Sequence, residues 1–382
     1  MKEQVLQAFL ERYGKAPDRI ARAPGRLEIL GNHTDYNQGT VLSTAIDRFT
    51  CVAVSLESGN ECQVYSLTMD EERAFSMDDL KKQTRGDWCN YVKGMVLAMG
   101  EFGFTTPAFR MVIGSDVPLS AGMSSSAALE MAIITALKGG EDCPGLDALT
   151  KARIGQACEN HYIGAQTGLM DQFSSLNGKA DCLIHSDFHS LKVNTIPIPA
   201  GTAFVVVNSM VKHNLTTEYN DRRTACEDAV GKLSVIHPGL SSLRFATLEE
   251  LLSLEASLSP ETFHCARHVI KEIARVEDGV AALQANRLAD FGQLMFQSHE
   301  SSRDDFRNSC PELDLLVDIG RHTPGCIGAR LSGGGFGGIT VHLVQAEQAE
   351  QYAKAVAAEY QAKTGITPQT FLCHAADGAA VL

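Results

Sequence analysis

The pattern of apolar and polar positions predicts a chain that mixes helices with strands. Apolar residues recur every three or four positions where a helix is expected, and they alternate or run together where a strand is expected. Helix-like spacing occurs at 5–13, through most of 215–319 and at 346–360, and strand-like runs occur at 27–30, 41–45, 49–56, 109–113, 182–185, 203–208, 339–344 and 371–373. The segment 21–26, which contains Pro24 and Gly25, is expected to interrupt the pattern before the first strand. Because no internal repeat is present, these elements predict an α+β fold.

The length of the chain and the order of its elements predict two domains. A chain of 382 residues is long enough for two ordinary domains, each with its own core. The stretch Ile196-Pro197-Ile198-Pro199 separates two strand-like segments and is a candidate seam. We therefore expect an N-terminal domain over 1–200 and a C-terminal domain over 201–382, with the last strand able to return to the first domain.

Composition and charge argue against several classes of partner. The chain has 33 Lys and Arg residues against 46 Asp and Glu residues, a formal charge of −13, and no block of five like charges. Such a chain is not expected to bind nucleic acid or an anionic membrane, and its apolar runs are shorter than the roughly 20 residues of a membrane-spanning helix. Eleven scattered cysteines without a C-x-x-C pair, together with a polar N-terminus, predict reduced thiols in a cytoplasmic protein. The sequence leaves both a monomer and a dimer open.

A loop of small residues that leads into a helix is the first candidate site. Residues 118–130 contain Gly122 and three consecutive serines that begin at Ser124. The helix is expected to begin near Ser125, with Ser124 or Ser125 as its cap, and to end at Gly139-Gly140. Free N–H groups and the positive dipole end of a helix attract anions. The loop therefore predicts an anion site, with a triphosphate as the first candidate ligand.

Other motifs do not fit the chemistry that they suggest. The run 333–338 satisfies G-x-G-x-x-G, but a strand-like segment follows it, whereas a dinucleotide-binding turn opens a helix. No Walker P-loop sequence occurs. The pairs His264/His268 and His185/His189 have the spacing of a helical metal site but lack further ligands at suitable spacing. We therefore predict neither a nicotinamide dehydrogenase nor a histidine metal site.

Two polar clusters supply the remaining parts of a phosphoryl-transfer site. The segment 23–37 crowds Arg, His, Asp, Tyr and Asn residues between glycines, which indicates recognition of a polar ligand. In the second cluster Asp171 stands between apolar neighbours, so a cation must pair with it if it is buried, and Arg26 is the candidate. Phosphoryl transfer needs a phosphate cradle, oxygen ligands for a metal, a cation and a carboxylate near the acceptor hydroxyl. The chain offers each of these groups.

Three motifs follow one another along the chain and carry a family resemblance. They are Ala23-Pro24-Gly25-Arg26 with Gly31-Asn32-His33-Thr34-Asp35-Tyr36-Asn37, the loop 118–130 with Met123 where Leu is usual, and Leu331-Ser332-Gly333-Gly334-Gly335-Phe336-Gly337-Gly338. The chain resembles the galactokinase family of the GHMP superfamily of small-molecule kinases. The resemblance implies a GHMP kinase fold, with a nucleotide- and sugar-binding N-terminal domain like ribosomal S5 domain 2 and a ferredoxin-like C-terminal domain.

The same resemblance implies ATP and Mg²⁺ as cofactors and a small sugar as substrate, phosphorylated on its anomeric C1 hydroxyl. It identifies Asp171 as the catalytic base and Arg26 as the arginine that keeps this base ionised and stabilises the transferring phosphoryl group. The implied ATP-binding residues are Trp88, which stacks on adenine, and Pro118, Gly122, Met123, Ser124, Ser125 and Ser126. The implied Mg²⁺ ligands are Ser126 and Glu159. The implied sugar contacts are Asn32, His33, Asp35, Gly168 and Tyr219.

Asn32 departs from the family pattern, in which a glutamate stands immediately before His-Thr-Asp. That glutamate is associated with the C6 hydroxyl of the sugar, and loss of one charged hydrogen bond costs about 1.5–3 kcal/mol. The sequence therefore predicts a kinase for galactose or a galactose-like sugar, with galacturonate, L-arabinose or another C6 or C4 variant as the alternative.

An alternative from another class is a non-catalytic sugar and ATP sensor that regulates transcription. Such proteins lose residues of the serine loop, whereas this chain retains them together with Asp171 and Arg26. A kinase for mevalonate or homoserine is a further alternative, and the His-Thr-Asp-Tyr sequence favours a sugar over these acceptors. Catalysis on a sugar is therefore the prediction.

Overall fold

The computed structural model describes residues 1–119, 121–139, 143–211 and 215–382, and the backbone alone for 215–218. The strands are β1 (Arg19–Leu30), β2 (Thr40–Glu57), β3 (Glu61–Ser66), β4 (Glu71–Ser76), β5 (Ala108–Ser115), β6 (Cys182–Asp187), β7 (Lys192–Pro197), β8 (Thr202–Asn208), β9 (Cys326–Ser332), β10 (Ile339–Gln345), β11 (Gln369–Cys373) and β12 (Ala380–Val381). The α-helices are α1 (Lys2–Tyr13), α2 (Cys89–Glu101), α3 (Ser125–Lys138), α4 (Ala148–Ala157), α5 (Met170–Asn177), α6 (Leu215–Leu233), α7 (Leu248–Ser253), α8 (Pro260–Gln284), α9 (Leu288–Ser301), α10 (Pro311–His322) and α11 (Ala349–Thr364). Ser120 of the predicted phosphate loop and Gly140 of the predicted helix end lie outside the described residues. Within the described part of the chain, every helix is too short or too polar to cross a membrane.

The first packing unit comprises residues 1–26, 45–178 and 376–382. Its strands pair in the order β12-β1-β2-β5-β3-β4. Successive residues of β2 face opposite layers, because Cys51 and Ala53 pack with α1 whereas Val52 and Val54 pack with α2 and α3. Helices on both faces explain why β2 is apolar on consecutive positions rather than alternating. This core fixes the position from which α3 begins.

The second packing unit comprises residues 27–44 and 179–375. It contains an antiparallel sheet of four strands in the order β11-β8-β10-β9. Leu316 of α10 and Val356 of α11 pack against Val205 and Val207 of β8. A separate apolar cluster joins α6, α7 and α8.

The predicted interruption at 21–26 is wrong, because β1 continues through this segment. Pairing with β12 at Ala21 and Arg22 supports the strand where Pro24 and Gly25 suggested a break. Gly25 is needed for space, since a Cβ atom there would lie 2.6 Å from the carbonyl oxygen of Met123. A close approach of β1 to the loop that contains Met123 thus replaces the expected interruption.

β2 joins the two segments that the sequence separates at 41–45 and 49–56. Its first residues, Thr40–Ser43, pair with β6, and its later residues, Thr50–Glu57, pair with β5. One long strand therefore pairs with β6 at its start and with β5 further along, in addition to β1.

The candidate seam at 196–199 is not a boundary between packing units. Pro197 ends β7, where it lies opposite Cys182 of β6, and both strands belong to the second unit. Residues 27–44 and 179–200 pack with the second unit and the last strand packs with the first, so packing does not follow a single cut at residue 200. The cause is the length of β1 and β2, each of which begins in one unit and ends in the other. The functional domains 1–200 and 201–382 stay a prediction.

Candidate active site

A partly buried ion pair joins two residues that are 145 positions apart in the sequence. Asp171, in the first turn of α5, accepts two parallel hydrogen bonds from Arg26, with Nε–Oδ1 at 2.8 Å and Nη2–Oδ2 at 2.9 Å. Arg26 is only 5% exposed. A planar guanidinium makes this two-pronged contact, and a lysine cannot. The predicted pairing of these two side chains is confirmed.

Arg26 also holds the loop that precedes α3. Its Nη1 donates to the carbonyl oxygen of Gly122 at 2.6 Å, and its backbone N–H donates to that of Met123 at 3.1 Å. Gly122 is exposed and has a φ of +72°, whereas the side chain of Met123 is fully buried. The loop therefore offers its backbone to a ligand, and the Met123 side chain anchors it from inside.

Ser124 does not cap α3 in the way that the sequence predicts. It precedes the helix with a φ of +54° and makes no side-chain capping hydrogen bond. Its hydroxyl donates to Asp171 instead. A left-handed conformation costs a residue with a Cβ atom about 1–2 kcal/mol, so this contact is made against local preference. The first N–H groups of α3 are left without a side-chain cap, which suits an anionic ligand. The helix end predicted at Gly139 is confirmed, because its N–H donates to Thr135.

A cavity of about 800 Å³ lies within the first unit. Trp88, Ser125 and Ser126 are among its lining residues. The indole N–H of Trp88 donates to Glu71 at 3.1 Å, and the guanidinium carbon of Arg73 lies 5.8 Å from its ring. The volume is typical of small-molecule sites, and an aromatic wall beside hydroxyl groups suits a nucleotide. The structure thus brings Trp88 together with two serines of the predicted phosphate loop.

Glu159 lies in a π-helical turn, Cys158–Ile163, directly after α4. Its carboxylate accepts hydrogen bonds from Thr167 at 2.5 Å, from Gln172 at 3.3 Å and from Ser126. Burial nevertheless raises the pKa of Glu159 above its ordinary value. A cation close to this carboxylate would offset the cost of burying its charge.

The side-chain oxygen atoms of Glu159 and Ser126 are suitable ligands for a magnesium ion that is shared with a nucleotide. Among the residues described, no group of three or more His, Cys, Asp or Glu side chains is arranged to hold a metal ion. Mg²⁺ commonly takes one or two protein ligands and completes its shell with phosphate oxygens and water. One carboxylate and one hydroxyl meet this requirement.

Glu130 is a buried acid that the sequence does not single out. It lies on α3 with no exposed surface, and its Oε2 accepts a hydrogen bond from Gln172 at 3.0 Å. Burial, and next the charge of Glu159, raise the pKa of Glu130 well above its ordinary value. The available signal was an acidic residue among apolar neighbours, the same signal that identifies Asp171.

We expect Glu130→Gln to gain stability relative to the wild type as the pH rises above 4.5. Unfolded Glu130 loses its proton near 4.5, whereas the folded side chain keeps it to higher pH. The stability that the protonated acid contributes is present below this value and is lost as the pH rises through the folded pKa. Glutamine keeps the shape and does not titrate. In denaturant unfolding without Mg²⁺, the difference between the variants is expected to grow by up to about 1.4 kcal/mol per pH unit. A constant difference between pH 4.5 and 7 would contradict this expectation.

In the second unit, two predicted sugar contacts, His33 and Tyr219, pack together with ring centroids 4.9 Å apart. The ring centroid of Phe306 lies 4.4 Å from that of His33. The Tyr36 hydroxyl lies 2.9 Å from His33 Nδ1, and Nε2 lies 3.3 Å from the carbonyl oxygen of Gly334. Since the carbonyl only accepts, Nε2 carries the proton and Tyr36 donates to Nδ1. Burial lowers the pKa of His33 to about 3, so the imidazole is a neutral aromatic group of fixed orientation.

Asn32 is buried in the second unit, and its amide contacts protein atoms on both sides. Nδ2 donates to Glu28 Oε1 and to the carbonyl oxygen of Gly333, each at 2.8 Å. Oδ1 accepts from Asn308 at 2.8 Å and from Ser302 at 3.4 Å. These bonds use both donors and both acceptor positions of the amide.

The glycine run at 333–338 forms a turn, and β10 follows it as predicted. Gly335 has a φ of +82°, and a Cβ atom there would lie 2.1 Å from the carbonyl oxygen of Asn308. Only glycine fits this position. The run therefore serves as a tight turn that packs on Asn308.

Packing divides the predicted site residues between the two units. The first unit contains Arg26, Trp88, Pro118, Gly122, Met123, Ser124, Ser125, Ser126, Glu159, Gly168 and Asp171, and the second contains Asn32, His33, Asp35 and Tyr219. Gly168 lies shortly before α5, and Asp35 begins a 3₁₀ turn. The sequence does not predict Thr167 or Gln172 as partners of Glu159, nor Glu28 as a partner of Asn32, because such contacts depend on the tertiary fold.

Sequence models of the GHMP kinases N terminal domain and the GHMP kinases C terminal domain match residues 90–179 and 280–362. A mevalonate kinase from Methanococcus jannaschii has the same fold, with a TM-score of 0.63 at 20% identity over 94% of this chain and 98% of that one. The chain is thus a small-molecule kinase of the GHMP class, and its predicted fold class is confirmed.

A narrower match follows from the N-terminal region and from full-length relatives. The galactokinase galactose-binding signature matches residues 7–56. Galactokinases of Roseiflexus sp. and Actinobacillus pleuropneumoniae are each 39% identical, over 98% and 99% of this chain and 96% and 99% of their own. The crystal structure of Lactococcus lactis galactokinase complexed with galactose matches with a TM-score of 0.93 at 28% identity, over 100% of this chain and 99% of that one. The chain belongs to the galactokinase family.

Proposed function

We propose that this enzyme transfers the terminal phosphoryl group of ATP to the C1 hydroxyl of galactose and so forms galactose 1-phosphate. Membership in the galactokinase family supports both the reaction and the substrate. The observation that carries the proposal is the ion pair of the buried Arg26 with the partly exposed Asp171, with Ser124 at the start of α3 bonded to the same carboxylate. A carboxylate, a cation and a helix N-terminus are the groups that phosphoryl transfer to a hydroxyl uses.

In this proposal Asp171 accepts the proton of the C1 hydroxyl. Arg26 and Ser124 hold its two oxygens, so the carboxylate has one fixed orientation. The charge of Arg26 also opposes the negative charge that spreads over the transferring phosphoryl group. The direct contact between the proposed base and the cation supports these roles.

ATP use follows from the family, and we assign its parts to the first unit. Adenine lies against Trp88, and the phosphates lie on the exposed backbone of Gly122 and on Ser124, Ser125 and Ser126 at the start of α3. Pro118 and the buried Met123 support this loop. Mg²⁺, with Ser126 and Glu159 as its protein ligands, would neutralise phosphate charge when bound. The oxygen donors found at these two residues support that assignment.

The sugar is assigned to His33, Asp35, Gly168 and Tyr219. The partly exposed ring of Tyr219, which packs on the buried His33, offers an apolar face for the C–H groups of a sugar ring. The carboxylate of Asp35 suits ring hydroxyls as a charged acceptor.

A comparison of sugars tests the proposed specificity. With saturating ATP, kcat/KM from ADP release is expected to be highest for galactose, and at least about tenfold lower for galacturonate, L-arabinose and glucose, since each lacks or alters one hydrogen-bonding group. Glucose serves as the control for the C4 position. A preference for galacturonate or L-arabinose over galactose would contradict the proposal and favour a C6-variant kinase.

Trp88 gives a direct test of the adenine site, because it is the only tryptophan of the chain. ATP is expected to change its fluorescence, whereas galactose alone is not. Trp88→Leu is expected to raise KM for ATP about tenfold, since stacking on a base contributes roughly 1–3 kcal/mol. Trp88→Phe, the matched control, retains an aromatic face and is expected to lose less. An unchanged KM for ATP in Trp88→Leu would rule out the stacking role.

A non-catalytic sensor is less compatible with the site. Arg26 and Ser124 both bind the carboxylate of Asp171, an arrangement that suits phosphoryl transfer to a hydroxyl. The cysteines of the described residues form no disulfide, which is compatible with the proposed reducing compartment, such as the cytoplasm.

A further inference from the structure

Asn32 is held by a dense set of hydrogen bonds in the second unit. Its side chain is 1% exposed, and its four hydrogen-bonding positions bind Glu28, Gly333, Asn308 and Ser302. A sugar hydroxyl could bind this amide only after one of these bonds broke. A residue that binds ligand directly is expected to keep at least one such group available.

The backbone of Asn32 is anchored as well. Its N–H lies 3.3 Å from Glu272 Oε1, and its carbonyl oxygen lies 3.1 Å from Nε2 of His268. His268 is fully buried. Both the backbone and the side chain of Asn32 are thus fixed inside this unit.

Glu28 is the acidic partner of the Asn32 side chain. Its Oε1 accepts from Asn32 and also from Nη1 of Arg330, in each case at 2.8 Å. Glu28 is 2% exposed and Arg330 has no exposed surface. The carboxylate therefore requires both donors, and a second carboxylate at position 32 would face it directly.

The Gly333-Gly334 backbone links this cluster to the aromatic residues. Asn32 donates to the carbonyl oxygen of Gly333, and His33 donates to that of the next residue, Gly334. Asn308 donates to the same Gly334 oxygen at 3.2 Å. The orientation of His33 consequently depends on bonds that Asn32 and Asn308 make to the turn.

We propose that Asn32 is a positioning residue, which pairs with Glu28 and orients His33 through the glycine turn, and that it does not contact the C6 group of the sugar. Its part in galactose phosphorylation rests on the function proposed above. The pairing of the Asn32 amide with the Glu28 carboxylate is a property of the fold and does not depend on the proposed function.

A set of isosteric variants tests the pairing. Asn32→Asp removes both donors and sets a carboxylate against Glu28, and it is expected to raise the unfolding equilibrium constant roughly a hundredfold or more. In the double variant Glu28→Gln/Asn32→Asp the carboxylate moves from position 28 to position 32, so the two like charges created by Asn32→Asp alone no longer face each other, and one negative charge remains in the surroundings of Arg330. This double variant is expected to be at least about tenfold more stable than Asn32→Asp alone. Additive effects of Asn32→Asp and Glu28→Gln on the free energy of unfolding would overturn the pairing.

A second readout separates positioning from sugar contact. L-arabinose has the ring of galactose without its C6 group, so the ratio of kcat/KM for the two sugars reports on contacts to C6. In Asn32→Ala, which adds no charge, KM is expected to rise for both sugars together while their ratio stays within about twofold. A tenfold change in the ratio, the size expected from one lost hydrogen bond to C6, would overturn the proposal. If Asn32→Asp does not fold, Asn32→Ala still gives this result.

Failure of the positioning role and failure of the proposed function give different results. If wild-type protein does not phosphorylate galactose, the proposed function fails, and the unfolding measurements still decide the pairing. If wild type is active and the sugar ratio changes in Asn32→Ala, only the positioning role fails.

Discussion

Asp171→Asn is expected to lower kcat for galactose phosphorylation by about 10²–10⁴-fold while galactose still binds. Asparagine keeps the shape and one acceptor oxygen for Arg26, but it cannot take up the proton of the C1 hydroxyl. The loss is therefore expected in kcat, with little change in the dissociation constant for galactose. ADP release measures turnover, and calorimetry measures sugar binding by the same preparation.

Asp290→Asn is a matched control for this variant. Asp290 also pairs with an arginine, Arg287, at 3.2 Å, but both side chains are more than half exposed. An exposed pair contributes little, so the activity of this control is expected to stay within about twofold of wild type. If Asp171→Asn kept wild-type turnover, Asp171 would not be the catalytic base.

Arg26→Lys is expected to have the second largest effect, a fall in kcat of about 10³-fold. Lysine retains the charge, but it cannot bind both oxygens of Asp171 and the Gly122 carbonyl at once. Both the orientation of the base and the position of the loop are expected to change. Because the loop is assigned to ATP, KM for ATP is expected to rise as well.

Arg244→Lys provides the comparison. Arg244 binds a carboxylate, that of Asp187, and a carbonyl oxygen, that of Gln38, at 2.9 and 3.0 Å, but it lies in the second unit and has no assigned role. Its replacement by lysine is expected to leave kcat within about twofold of the wild-type value. A similar kcat for Arg26→Lys and Arg244→Lys would mean that Arg26 acts only as a structural residue.

Local pattern was sufficient to predict most of the fold that carries the site. Each strand-like segment taken from the sequence lies within a strand, and the helix after the serine loop begins at Ser125 as expected. These elements have apolar cores and clear ends, which local sequence encodes. The extent of β1 through Pro24 and Gly25 was not predictable, since it depends on pairing with β12 at the far end of the chain.

The chemistry of the site was predictable only in part. A carboxylate among apolar neighbours required a cation, and this identified Arg26 as the partner of Asp171. The hydroxyl of Ser124 could cap its own helix or bind elsewhere, and the choice of Asp171 follows from tertiary contact 47 residues away. The surroundings of Asn32 were hidden for the same reason, because its partner Asn308 lies 276 residues further along the chain.

The position of the phosphoryl group on the product tests the central claim most directly. Wild-type protein is incubated with ATP, Mg²⁺ and galactose labelled with ¹³C at C1, and the product is followed by ³¹P and ¹³C spectroscopy. We predict one product with phosphorus coupled to the labelled C1, formed in equal amount to ADP and absent with Asp171→Asn. Phosphorylation at another carbon, or release of ADP with inorganic phosphate and unchanged galactose, would contradict the account.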